Sequence, residues 1–173
     1  MTDIPFHPDR PLMVDPVSDT GFATTSWGEQ ARSRVTAAET LGKLAVIDYR
    51  APAGFGPPRH RHLEDDEVFL IVAGTIVLWT ATTTRIAGPG DVVLLPEGLV
   101  HTWRAYGEDG VHIHVIVAPG RLEPFFETVA ARGLTRADTA ALAAAAAEVG
   151  VEVLGPPLSD DEVADIVRAH AAT

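Results

Sequence analysis

GFGPPRHRHLEDDEVFLIVAG, residues 54–74, is the stretch from which the rest of the chain is read. His60 and His62 stand two apart. On a strand, alternate side chains share a face, so the two imidazoles project together. Two converging nitrogens make half of a metal site. Glu67 lies five residues beyond His62, an odd offset that would turn it to the opposite face of an unbroken strand. The chain must therefore turn or bulge over Leu63 to Asp66, and Glu64-Asp65-Asp66 suit a polar turn. Gly74 is expected to close a hairpin between EVFLIVA and TIVLWTA.

A second stretch, GDVVLLPEGLVH (90–101), carries the complement. Gly90-Asp91 ends one turn, an apolar strand follows, and Pro96-Glu97-Gly98 forces another turn that delivers His101 at the start of the next strand. A third imidazole is thereby expected beside the first two.

Outward from these stretches, short β runs occupy 43–49, 67–73, 75–81, 91–96, 100–106 and 111–118. Gly- and Pro-rich turns separate them, a spacing that predicts an all-β sandwich or barrel. Beyond Pro119-Gly120 the pattern turns helical. Pro124 suits a first helical turn running to Arg132, Thr135 with Asp138 resembles a cap before an Ala-rich helix, and Ser159 with Glu162 forms a capping box. The division expected is an N-terminal arm over 1–40, a barrel over 41–120 and a helical extension over 121–173, all in one domain. The arm is placed to cross to a partner copy's sheet edge.

At 173 residues the chain can bury one core. It has no cysteine, which excludes thiolate ligands, disulfides and cysteine nucleophiles. Its net charge of −11 makes nucleic acid and anionic lipid poor partners. MTDIPFHPDR lacks the basic and apolar parts of a signal peptide, and no apolar run has membrane-spanning length, so a cytoplasmic protein is expected. No phosphate-binding Gly loop, GxSxG elbow or GxGxxG after a strand occurs.

The two stretches resemble the paired motifs of the cupin superfamily, G-x5-HxH-x4-E-x6-G and G-x5-PxG-x2-H. Gly54, His60, His62, Glu67 and Gly74 carry the first, and Gly90, Pro96, Gly98 and His101 the second. The second motif often ends in Asn, where this chain has Ala105 at that distance, a departure that touches none of the ligands. The resemblance implies a double-stranded β-helix (jelly-roll) barrel with C-terminal helices. It also implies one divalent metal ion, held by His60, His62, Glu67 and His101. Three imidazoles and a carboxylate suit Ni, Co, Fe, Mn or Zn. RLEPFFETVAARG and GVEVLGPPL further resemble the helical extension of bacterial monocupins related to quercetin dioxygenase. Cupins are commonly homodimers, and the same is expected here.

Strand parity extends the site. If Glu67 faces inward, so do Phe69 and Ile71; if His101 does, so do Trp103 and Ala105. Phe69 and Trp103 are the candidates for an aromatic wall, with ordinary barrel packing as the alternative. Arg59 and Arg61 have the opposite parity and are expected to be solvated or ion-paired. His112 and His114 share one face of a late strand, either lining the pocket as proton carriers or lying on an outer face. One of Asp48 and Tyr49 faces inward. Phe125 and Phe126 are expected to pack a helix on the barrel. The function that the resemblance implies is a metal-dependent, dioxygenase-like enzyme acting with dioxygen on a small enol or phenol, with Glu67 as base. The alternatives are an oxygen-independent isomerase, cyclase or lyase, and a non-catalytic small-molecule-binding cupin.

Overall fold

The computed structural model describes residues 21–172. Nine strands run in chain order: β1 (Ala23–Thr24), β2 (Gln30–Val35), β3 (Ala45–Ala51), β4 (Arg59–His62), β5 (Asp66–Thr80), β6 (Thr84–Ala87), β7 (Val92–Leu95), β8 (His101–Ala118) and β9 (Val151–Gly155). Three helices follow or flank the last strand: α1 (Phe125–Ala131), α2 (Thr139–Glu148) and α3 (Asp160–Ala171). The strands pair in the order β1-β2-β3-β8-β4-β9, with β5 joined to β6, β7 and β8, giving an antiparallel jelly-roll barrel. No helix among the described residues is long and apolar enough to cross a membrane.

Alternation sets the interior. Ala45, Ile47, Tyr49 and Ala51 of β3 are buried, as are Val111, Ile113, Val115 and Val117 of β8. Register pairs Ile47 with Val115 and Tyr49 with Ile113, so the buried faces of the two strands coincide. Each fully buried Ile or Val contributes about 1.5–3 kcal/mol, and this stripe forms much of the barrel's core.

Several expectations need correction. The runs 67–73 and 75–81 are not a hairpin about Gly74 but one bent strand, β5, that pairs along β8 on both sides of the bend. Likewise 100–106 and 111–118 are one strand, β8. At the bend the two strands cross so closely that a Cβ on Gly74 would lie 2.1 Å from the Gly110 carbonyl oxygen, and Gly74 has φ of 78°. Glycine is needed there for contact and for backbone freedom, not for a reversal.

The described part of the 1–40 segment is also more than an arm. β2 pairs with β3 and β1 with β2, because Ala31 meets Tyr49 in register and is buried on the core side. GVEVLGPPL supplies a strand, not a helix: β9 pairs with β4 from His62↔Val151 to Arg59↔Gly155. The Ala-rich helix starts at Thr139, since Asp138 spends its carboxylate on the Thr135 N–H and hydroxyl. Ser159 and Glu162 make the capping box at the start of α3.

Candidate metal centre

His60 and His62 lie on β4, Glu67 near the start of β5 and His101 at the first position of β8, directly opposite His60 in register. The turn between His62 and Glu67 is fixed from beneath. Asp65, 2% exposed, accepts three backbone N–H bonds: Gly120 at 3.0 Å and Arg121 at 3.2 Å on Oδ1, and Leu122 at 3.1 Å on Oδ2. Asp66 accepts the Glu97 N–H at 2.9 Å, and the Gly98 N–H is donated to the His62 carbonyl at 2.7 Å. The polar turn thus clamps the two motif segments together and brings Glu67 round to the histidine side.

Ligand atoms of His60, His62, Glu67 and His101 all fall within 4.8 Å of one another. Glu67 Oε2 stands 3.5 Å from His62 Nε2 and 3.3 Å from His101 Nε2. His60 Nδ1 is 2.8 Å from the Pro58 carbonyl and His101 Nδ1 is 3.0 Å from that of Leu99. Each ring donates Nδ1–H to the backbone, leaving Nε2 as a lone pair aimed inward, the arrangement that orients metal-binding histidines.

The protonation states of His60 and Glu67 agree with a donor set, while that of His62 runs the other way. Burial pushes His60 down to about 3, helped by the charges of His101 and His62, so its ring is neutral. Burial opposes the charge on Glu67, but the neighbouring His101 and His62 outweigh it and hold the carboxyl well below its usual range. His62 is raised: burial works against its charge, and the nearby Glu67 carboxylate prevails. His62 Nε2, His101 Nε2 and Glu67 Oε2 are buried without hydrogen-bond partners. Each such orphan costs about 1–3 kcal/mol, and together they fit a cation, which would satisfy all of them at once.

The group opens through His60 and Glu67 onto a cavity of about 590 Å³. Phe69 and Trp103 are part of its lining; Ile71 is buried in the core and is not. Trp103 meets Tyr49, Phe55 and Phe69 edge-on at ring separations of 5.9, 5.8 and 6.2 Å. Phe125 and Phe126 of α1 do more than pack the helix, for both line the cavity. His112 and His114 do not reach it. Val111, Ile113 and Val115 take the inward positions of β8, so the two histidines lie on the other face. There His112 Nε2 meets Asp48 Oδ1 at 2.7 Å and Arg32 lies 3.5 Å from Asp48 Oδ2. Tyr49, not Asp48, points to the cavity. Arg59 pairs with Glu162 at 2.6 Å and Arg61 with Glu152 at 2.7 Å. Trp27, Glu29, Leu122, Arg136 and Leu142 also line the cavity, none of them singled out by the sequence motifs.

Comparison with known families assigns residues 49–117, which include all four candidate ligands, to the family described as Cupin domain. Residues 49–117 are a cupin domain. This cupin is 32% identical over 98 residues to the quercetin 2,3-dioxygenase of Bacillus subtilis (strain 168), an overlap of 56% of the chain and 29% of that relative. It is 30% identical over 142 residues to germin-like protein 8-7 of Oryza sativa subsp. japonica, covering 78% of the chain and 54% of the relative. The chain therefore spans about half or less of either relative's length. Among solved structures, KdgF from Halomonas sp. overlays with a TM-score of 0.49 at 18% identity, over 56% of this cupin and 84% of that chain.

Proposed function

We propose that this cupin is a metal-dependent enzyme that acts on a small, flat substrate bearing an enol or phenol, with dioxygen as co-substrate. The observation that carries the proposal is the set of orphaned, inward-aimed donors opening onto an aromatic-walled cavity large enough for such a molecule. The relative named quercetin 2,3-dioxygenase supports the same direction. A divalent ion held by His60, His62, Glu67 and His101 would supply Lewis acidity, lowering the pKa of a substrate hydroxyl. The chain does the rest. Phe69 and Trp103, packed edge to face, form one wall that orients the ring system, and Glu67 is kept at the metal end of the cavity by His62 and His101. Phe125, Phe126 and Leu142 close the far side against water.

A second copy of the chain is the partner we infer, seated on the outer sheet face where Val72, Val92 and Leu94 are 42, 64 and 60% exposed.

The test begins with elemental analysis of untagged protein purified without chelators, beside His62→Ala. About one equivalent of Ni, Co, Fe, Mn or Zn, lost in the variant, is expected. Oxygen uptake with quercetin as first probe follows. Turnover under strict anaerobiosis would replace the dioxygenase by an oxygen-independent isomerase or lyase. No metal, even after reconstitution, would leave a binding protein.

A further inference from the structure

The cavity contains a second carboxyl. Glu29, immediately before β2, is 5% exposed and lines the same space as His60 and Glu67. Its backbone is held at both ends by Thr25: the Thr25 N–H is donated to the Glu29 carbonyl at 2.9 Å, and the Glu29 N–H to Thr25 Oγ1 at 3.1 Å. Its Oε1 accepts the Tyr49 hydroxyl at 2.5 Å. Tyr49 lines the same cavity and feels the negative charges of both Glu29 and Glu67. Burial first, and those charges next, push its phenol well above the usual range, so Tyr49 remains a fixed donor.

A group of opposite charge, Arg136 from the segment before α2, also faces Glu29, its guanidinium 5.4 Å from the centre of the Phe55 ring. Burial pushes the Glu29 carboxyl up to about 7, against the opposing pull of Tyr49, Trp27 and Arg136. A carboxyl is a poor choice for a mere tie between β2 and β3. An amide of the same shape would accept the Tyr49 bond with no ionisable group to bury. A buried acid poised near neutrality on the wall of a reaction cavity is instead suited to exchanging protons.

We propose that Glu29 is the proton-exchanging residue of this cavity, taking the proton of a substrate hydroxyl directed at the metal group and returning it to the product. The step breaks the substrate O–H bond, leaves its electron pair on the substrate oxygen and forms a carboxyl O–H on Glu29. It is redox-neutral, and Tyr49 steadies the carboxylate before and after. The inference rests on the reading that the substrate occupies this cavity, while Glu67 stays engaged with His62 and His101.

Infrared difference spectroscopy of the metal-free protein tests it without turnover. A protonated-carboxyl band titrating near pH 7 is expected, absent in Glu29→Gln and displaced to higher pH in Tyr49→Phe, which removes the donor. Adding quercetin is expected to shift that band, because the phenol bonds to the carboxyl. With metal and quercetin, Glu29→Gln is expected to lose about 100-fold in kcat, with little change in KM or metal content. Quercetin binding that leaves the band unmoved, or an unchanged kcat in Glu29→Gln, makes Glu29 a structural carboxyl and overturns the proposal. Failure of quercetin to bind at all, with the titrating band present, counts against the reading of the cavity and not against the ionisation of Glu29.

Discussion

Asp65 offers the sharpest test of how the site is assembled. Its buried carboxylate satisfies the N–H groups of Gly120, Arg121 and Leu122, where the chain leaves β8. Replacing it with alanine leaves three donors without an acceptor. A hydrogen bond to a charged group is worth about 1.5–3 kcal/mol; at the lower value, three such bonds give a loss of about 4.5 kcal/mol. For a chain of this size each kcal/mol lowers the melting temperature by about 2–4 °C, so Asp65→Ala should melt about 9–18 °C lower. Asp65→Asn keeps the oxygen that serves Gly120 and Arg121 but turns an amide NH2 toward Leu122, and about half that loss is expected. Because Glu67 lies two residues on, both variants should also bind the metal more weakly, in the same order. Urea denaturation of the metal-free protein, followed by metal titration, measures both effects. An alanine variant within about 1 kcal/mol of the parent, or one no worse than asparagine, would refute the idea that this carboxylate holds the turn.

Glu29 makes a pH prediction of definite sign. Its pKa is raised from 4.5 to about 7 on folding, so between those values the folded state keeps a proton that the unfolded state has lost. The contribution is fully present below pH 4.5 and disappears as pH rises through about 7. It amounts to about 3 kcal/mol. Glu29→Gln should therefore gain about 3 kcal/mol relative to the parent between pH 5 and pH 8, measured by urea unfolding at both; a relative loss contradicts the assignment. Glu67→Ala should lose turnover and metal while keeping the barrel, as read by elemental analysis and circular dichroism; full activity would remove Glu67 from the mechanism. Leu94→Glu puts a charge on the exposed sheet face and should convert a dimer to a monomer in sedimentation, with an unchanged mass arguing against that interface.

What could be read from the sequence was local. His60 and His62 share a face because of strand period alone, and the odd offset to Glu67 demanded the turn that Asp65 and Asp66 make. What could not be read depends on partners far along the chain. Gly74 looks the same whether the strand reverses or bends, and the close crossing over Gly110 decides between them. The parity of His112 and His114 was lost for a related reason. Taken as one strand, β8 puts His101, Trp103, Val111 and Ile113 on a common inward face, but Gly107 to Gly110 read as a break. Trp27 and Glu29 belong to no motif, and only the pairing of β2 with β3 brings them to the cavity. The strand at 151–155 was hidden because its partner, β4, lies about ninety residues earlier.

The cavity draws on several separate lengths of chain. Its metal end lies within residues 49–117, whereas Leu122, Phe125, Phe126, Leu142, Ala143 and Ala146 come from α1, α2 and the segment before them. Reactivity and selectivity are therefore written on different pages of the polypeptide. Enlarging Ala143 or Ala146, or trimming Leu142, reshapes what fits while leaving every candidate ligand in place. Grafting a foreign helix across 139–148 would exchange part of the far wall as a cassette and leave β9 paired with β4. A barrel of this kind can acquire new substrates by editing its tail, with the chemistry carried along unchanged.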